Sequence, residues 1–271
     1  MLNSHFCAQV SETPLFSLDD VTVKFGKTVA LNQLSGTIPA GMHVGLIGPN
    51  GSGKTTLMRA LYGAVKPNRG RIKLVGEPLD SLQPHEIATK IALVPQNQIV
   101  PQRVKVIDEV LLGRIPFLSA FATYSHSDYD LAAKALDTVG LTGVREKYSD
   151  QLSGGERQRT VIARALTQDT NCVLLDEPTN HLDIFYQHKV LSLLRRLAPN
   201  VVTVLHDINL AAKYCDWLLM LDHGKVFASG KPHEVLTESN IEHVYGVQAT
   251  TIHHEGKLQY CFSVNNDKEK S

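Results

Sequence analysis

The sequence predicts an α/β fold in which a mostly parallel sheet carries an antiparallel β subdomain at its N-terminal end and an α-helical subdomain inserted in its middle. Three observations predict it. Two long strand patterns near the start are separated only by "GK". Farther on, short apolar runs alternate with helical patterns, the habit of strands buried on both faces. Between them, from Gln98 to Arg159, the texture is helical with no convincing strand.

In chain order, "LFSLDDVTVKF" and "KTVALNQLSGTI" read as an antiparallel pair turning between Phe25 and Thr28. "HVGLIG" is a short apolar strand, "PNGSGK" a glycine-rich turn and "TTLMRALYGA" a helix ending near Gly63, a strand-loop-helix unit of the parallel-sheet kind. "RIKLVG", "KIALVPQ", "NCVLLDEP", "NVVTVLHD" and "WLLMLDHG" are further buried strands, with helices "IFYQHKVLSLLRRLA" and "NLAAKYC" between the later ones. The inserted lobe carries the helical patterns "VIDEVLLGRI", "SDYDLAAKALDTVG" and "SGGERQRTVIARAL". A hairpin return at Gly224 to Gly230 leads into short helices in "PHEVLTESNIEHVYGV". The chain therefore divides into a leader, 1–14, a nucleotide-binding core, 15–97 and 160–264, a helical subdomain, 98–159, and a tail, 265–271.

Composition excludes several functions. Lys plus Arg and Asp plus Glu number 27 each in 271 residues, so no overall positive field draws the chain to nucleic acid, and no nucleic-acid partner is expected. Cys7, Cys172, Cys215 and Cys261 lie far apart and form neither a C-x-x-C pair nor a disulfide framework, as expected in a reducing cytoplasm. No run approaches the ~18 uninterrupted apolar residues of a spanning helix. "MLNSHFCAQVSETP" lacks the basic and apolar regions of a signal peptide, so a soluble protein that stays inside the cell is expected.

"GPNGSGKTT" spans Gly48, Pro49, Asn50, Gly51, Ser52, Gly53, Lys54, Thr55 and Thr56 and fits G-x-x-x-x-G-K-[ST]. Its glycines let successive N–H groups turn toward phosphate oxygens, Lys54 reaches the β and γ phosphates, and the Thr55 hydroxyl ligates Mg²⁺. The helix starting there adds its positive dipole end. The motif makes the core a P-loop NTPase that binds a nucleoside triphosphate. "NCVLLDEP" ends in Asp176 and Glu177, whose side chains should point to opposite sides of the strand. Asp176 is then placed to hold the metal, and Glu177 to orient or deprotonate a water in line with the γ phosphate. His206 closes "NVVTVLH" and is a donor toward the γ phosphate. Gln96 closes "IALVPQ", where its amide reaches the metal or the attacking water.

"LSGGERQR" contains a capping box, Ser153 as N-cap with Glu156 three residues on. A capping box gains nothing from Gly154 and Gly155, which cost about 0.8 to 1 kcal/mol each in a helix interior relative to Ala. Glycines in a first turn make sense when something must come close to the backbone, and at a helix N-terminus that something is an anion.

"GPNGSGKTT", "LVPQ", "LSGGERQR", "VLLDEPTNHLD" and "TVLHD", in that order, resemble the nucleotide motifs of ATP-binding cassette ATPases, over about Leu15 to Val247. "GRIPFLSAF", "TNHLDIFYQ" and "EVLTESNIEHVYGV" resemble the ATPase subunits of importers for iron-siderophore complexes, haem and cobalamin, with Phe117 departing from the tyrosine or histidine expected after Pro116. The resemblance implies an ATP hydrolase using ATP and Mg²⁺, and a head-to-tail dimer in which Ser153, Gly154 and Gly155 of one copy cover ATP on the P-loop of the other. It also implies that Phe25 stacks on adenine, Gln96 links core and lobe, and Asp183 lies at the dimer contact. Transmembrane permease subunits would be direct partners, docked around Arg114 to Phe117, and a substrate-binding protein an indirect one. The location implied is cytoplasmic, peripheral on the inner face of the plasma membrane. The rival reading is a non-transport cassette that clamps nucleic acid or the ribosome; it lacks the long heptad insertions, paired cassettes and basic stripe such proteins carry. A small-molecule P-loop kinase leaves "LSGGERQR" unexplained.

Overall fold

The computed structural model describes residues 13–96, 103–119, 121–179, 182–254 and 257–264. Most of the expected leader, the expected tail and the start of the helical subdomain at Gln98 lie outside these residues.

The two opening strand patterns form β1 (Phe16–Phe25) and β2 (Thr28–Ile38), antiparallel, with Phe25 opposite Thr28. After them come β3 (His43–Ile47), buried at every residue, and α1 (Lys54–Leu61). β4 (Arg69–Leu74) and β5 (Glu77–Pro78) follow, then α2 (Pro84–Lys90) and β6 (Ile91–Val94). The helical lobe comprises α3 (Val106–Leu111), a 3₁₀ segment Leu112–Phe117, α4 (His126–Thr138) and α5 (Gly154–Thr167). The chain then alternates through β7 (Cys172–Asp176), α6 (Ile184–Leu197), β8 (Asn200–Val204), α7 (Ile208–Tyr214) and β9 (Trp217–Asp222). It ends with β10 (Lys225–Gly230), α8 (Pro232–Val235), α9 (Glu238–Tyr245), β11 (Gln248–His254) and β12 (Lys257–Ser263).

The described strands form three sheets. The antiparallel sheet has the order β2-β1-β4-β5, and the central sheet the order β10-β9-β3-β8-β7-β6. Within the central sheet β9, β3, β8, β7 and β6 are parallel, and β10 returns antiparallel along β9. "RIKLVG", expected as a strand of the parallel core, instead pairs antiparallel with β1 as β4. Its outward Arg71 and Lys73 and inward Ile72 and Leu74 are the alternation of a one-sided sheet, not the unbroken apolar run of a doubly covered strand. Among the elements that went unread in the sequence are the two-residue strand β5, the short helix α2, and the hairpin β11–β12, whose polar strands carry only a weak apolar rhythm.

The lobe is not a separate globule. Val106, Val110, Leu136, Val161 and Ile162 share one apolar cluster with Val94, Val173 and Leu175 of the central sheet. α5 runs unbroken across the division expected between Arg159 and Thr160, so that division falls inside a helix. Arg114 closes the lobe: its Nε meets Asp128 Oδ1 at 2.8 Å, and its Nη1 donates to the Thr167 and Gln168 carbonyls at 3.2 and 3.1 Å. Those are carbonyls an α-helix leaves unpaired at its C-terminus. Hydrogen bonds from Ser125, with Arg114 beside it, pull the Asp128 carboxyl down to about 2. Among the described residues no helix is long and apolar enough to cross a membrane.

Candidate active site

Because β3, β6, β7 and β8 run parallel, their carboxyl ends emerge along one edge, with Val94 opposite Leu175, Asp176 opposite Val204, and Leu46 opposite Val204. The residues that follow these ends are Gly48, Gln96, Glu177 and His206. Ligands of open α/β sheets bind at that edge. Four segments far apart in sequence are thus brought together by strand direction.

The first segment is the phosphate loop. Gly48 has φ +142, and a Cβ there would come within 2.2 Å of the Leu221 carbonyl oxygen. Gly53, at φ +102, is the N-cap of α1, and no side chain caps the helix. The first N–H groups of α1 are therefore left for an outside acceptor, as a phosphate site requires. Lys54 is buried and donates from Nζ to the Gly48 and Pro49 carbonyls at 2.8 and 2.9 Å. Burial lowers its ammonium pKa, against the pull of Glu177 and Asp176. Ser52 Oγ is buried with no protein partner, and Thr55 and Thr56 sit half-buried in the first turn of α1.

The second segment holds the two carboxylates. Asp176 is the last residue of β7 and is buried, with Oδ1 lacking a protein partner. Burial first and Glu177 second raise its pKa, while Arg59, His206 and Lys54 oppose them. Glu177 does not diverge from Asp176 by strand alternation, as expected from the sequence. It lies beyond the strand at φ +53, a left-handed conformation costing a non-glycine residue roughly 1–2 kcal/mol. That turn carries its carboxylate to the other two segments: Oε1 lies 2.5 Å from His206 Nε2, and Oε2 accepts from Gln96 Nε2 at 2.6 Å.

The remaining predicted residues lie elsewhere on the chain. Ser153 is the N-cap of α5; its Oγ accepts from the Glu156 N–H at 3.3 Å, and Glu156 Oε2 accepts from Ser153 N and Oγ at 2.9 and 2.7 Å. These bonds from Ser153 lower the Glu156 pKa. Gly154 and Gly155 occupy the first turn, and a Cβ on Gly154 would meet nothing within 4 Å. Phe25 ends β1 half exposed, at 50%. Asp183 caps α6, accepting from the Tyr186 N–H at 2.8 Å. Arg114, expected at the docking surface, has a side chain only 14% exposed and is consumed by its internal bonds; Ile115 and Phe117 beside it are exposed. Sequence reading missed Arg59, which acts on Asp176, and Tyr186, on whose ring the Arg159 guanidinium lies at 4.1 Å. Its signal was an aromatic three residues after Asp183 in "LDIFYQ".

The pattern of the ABC transporter family matches residues 31–180. The petrobactin import ATP-binding protein FpuD of Bacillus anthracis is 38% identical over 232 residues, 84% of this chain and 85% of that protein. The ferric enterobactin transport ATP-binding protein FepC of Escherichia coli (strain K12) is 37% identical over 238 residues, 86% and 88% of the two chains. A chain from a structure described as a metal-chelate type ABC transporter in an inward-facing conformation aligns with TM-score 0.79 at 29% identity, covering 95% of this chain and 99% of that one. A dimeric bacterial ABC transporter cassette, MJ0796, aligns with TM-score 0.72 at 30% identity, over 80% of this chain and 98% of its own. Strand-end chemistry, sheet order and these likenesses agree: the chain belongs to the ABC transporter family and is an ATP-binding subunit of it.

Proposed function

We propose that the chain is the ATP-hydrolysing subunit that powers import of an iron chelate (siderophore), haem or cobalamin through a separate membrane permease. The observation that carries the hydrolytic part is Glu177, turned out of its strand and bonded to both Gln96 and His206. The substrate class draws support from the names of the relatives, which include petrobactin, ferric enterobactin and hemin import. Those import names, not a nucleic-acid or ribosome function, favour transport over the clamp reading.

ATP would lie along the P-loop, its phosphates facing the N–H groups of residues 48–56 and Lys54 released from its own carbonyls toward the γ phosphate. Phe25, at the hairpin end, would take the adenine face. The residues present fit a magnesium ion: Asp176 offers a buried oxygen with no protein partner, and the Thr55 hydroxyl and the Gln96 amide oxygen would complete the protein's share. When bound, the ion neutralises charge on the phosphates. Glu177 orients the attacking water and takes its proton, and His206 donates to the γ phosphate as charge builds there. The second copy supplies Ser153, Gly154 and Gly155 over the nucleotide, with Asp183 near the contact. The permease would dock on the exposed Ile115 and Phe117 of the lobe, while Arg114 keeps the lobe rigid. The chain would then sit peripherally on the cytoplasmic face of the membrane, with any substrate-binding protein met only through the permease.

Glu177→Gln keeps the hydrogen-bonding shape but removes the base. ATP binding should persist while turnover falls by about a hundredfold or more. Nucleotide titration alongside single-turnover hydrolysis checks this; a variant hydrolysing at the parental rate removes Glu177 from its role.

A further inference from the structure

We propose that Asn209 is a positioning residue for His206, and that through it the C-terminal hairpin β11–β12 holds the imidazole against Glu177 and the γ phosphate. The proposal rests on the reading of His206 as a donor to that phosphate and names what keeps it there.

Between β8 and α7 lie Leu205, His206 and Asp207. The His206 side chain is 43% exposed, so its placement depends on the backbone that carries it more than on packing. Upstream that backbone is fixed: Leu205 is buried, and its N–H donates to the Leu46 carbonyl at 3.1 Å, continuing the pairing of β8 with β3. Downstream it depends on α7, whose seven residues are too few to hold a helix in water by themselves. Asp207 caps that helix, its Oδ1 accepting from the Asn209 and Leu210 N–H groups at 2.7 and 3.0 Å.

The Asn209 side chain then leaves the helix for the hairpin. Its Oδ1 accepts from the Tyr260 N–H at 2.8 Å, and its Nδ2 donates to the Tyr260 carbonyl at 3.1 Å. The N–H and C=O of one residue in an antiparallel strand point the same way, so both of these face away from Thr251, the partner of Tyr260 in β11. One amide completes an open strand edge as a neighbouring backbone would. At the opposite edge the Thr251 N–H donates to Glu238 Oε1 at 2.8 Å. Held at both edges, the hairpin buries Tyr260 in an apolar cluster with Ile47, Leu205 and Ile208. Ile47 directly precedes Gly48, and Leu205 directly precedes His206.

An amide that served only to close a strand edge could stand anywhere along α7. This one stands in the first turn, on the residue whose own N–H the Asp207 cap takes. A shift of Asn209 is therefore passed through Asp207 to His206, and a displacement of about 1 Å at a reacting group is enough to cost catalysis heavily.

The test is a double-mutant cycle in the full chain, reading kcat at saturating ATP, ATP affinity and the melting temperature. His206→Ala is read first and should lower kcat about a hundredfold. At parental turnover the histidine reading fails, and the positioning proposal falls with it. Asn209→Ala should lower kcat about tenfold and leave ATP affinity unchanged. Added to His206→Ala, the same substitution should change kcat by no more than about twofold, because the group it positions is already gone. Asn209→Ala at the parental kcat overturns the proposal, and so does a tenfold fall repeated in the His206→Ala background. A merely structural amide would lower the melting temperature in both backgrounds and kcat in both or in neither. Should Asn209→Ala not fold, Asn209→Gln carries the same comparison, since it keeps both hydrogen-bonding groups and displaces them by one methylene.

Discussion

Two glycine-rich helix starts, at Gly48 to Thr56 and at Ser153 to Glu156, look alike in sequence and differ in what their glycines answer to. In the first, the chain itself demands glycine. Gly48 stands at φ +142 against the Leu221 carbonyl, Gly53 is left-handed at the N-cap, and the helix has no side-chain cap. In the second, Ser153 and Glu156 complete a reciprocal capping box, both glycines are helical, and open space surrounds Gly154. The P-loop is a site whose shape is enforced from within. The second turn is finished as a helix end and has glycines its own chain does not require, which the proposed two-copy site assigns to something outside.

The contrast breaks first at Gly48. Gly48→Ala forces a methyl group to within 2.2 Å of a backbone oxygen in a conformation that L-residues avoid. The isolated chain should lose about 2–4 kcal/mol of stability and, with the loop displaced, its nucleotide binding. Denaturant unfolding and nucleotide titration read both; parental values in both would mean that the loop is not constrained from within. Ser153→Arg is the counterpart. It removes a cap worth about 1 kcal/mol to the isolated chain and leaves the P-loop untouched. Monomeric ATP affinity should hold while hydrolysis falls at least about a hundredfold, because the second copy can no longer reach its geometry. Loss of ATP binding by the monomer would place Ser153 in its own chain's site and end the two-copy reading.

How much of this was legible in the sequence follows from what each signal depends on. Asp176, Glu177 and His206 were readable because each lies at or just beyond the end of an apolar strand, and Lys54 because it closes the glycine-rich motif after one; parallel strands deliver their ends to one edge whatever the rest of the fold does. The left-handed turn at Glu177 was not, since it is imposed by position and not by residue type. Arg114 was assigned to the docking surface because the family resemblance carries the whole segment Arg114 to Phe117 there. Its partners, Asp128 and the end of α5, are 14 or more residues away, where no local pattern links them. β4 was placed in the wrong sheet because it was grouped with the apolar strands that follow, although its alternation of Arg71 and Lys73 with Ile72 and Leu74 is that of a one-sided sheet. The hairpin β11–β12 was missed because its strands pack through few apolar side chains, chiefly Tyr260 and Leu258.

The smallest effect is the sharpest test of the contrast. Gly154→Ala adds one methyl group at a helical position where nothing in the chain lies within 4 Å. Alanine is the better helix former, so the isolated chain should gain about 0.5 kcal/mol, and monomeric ATP binding should not change. If a second copy brings a nucleotide against that backbone, the same methyl group is an intruder in a packed interface, where one costs about 1–3 kcal/mol. ATP-dependent dimerisation and hydrolysis should then fall by about tenfold. A variant more stable and less active separates the two regions cleanly, because no defect in folding can account for it. A variant more stable and equally active would mean that nothing approaches Gly154, and the glycines of the second turn would need a reason inside the chain after all.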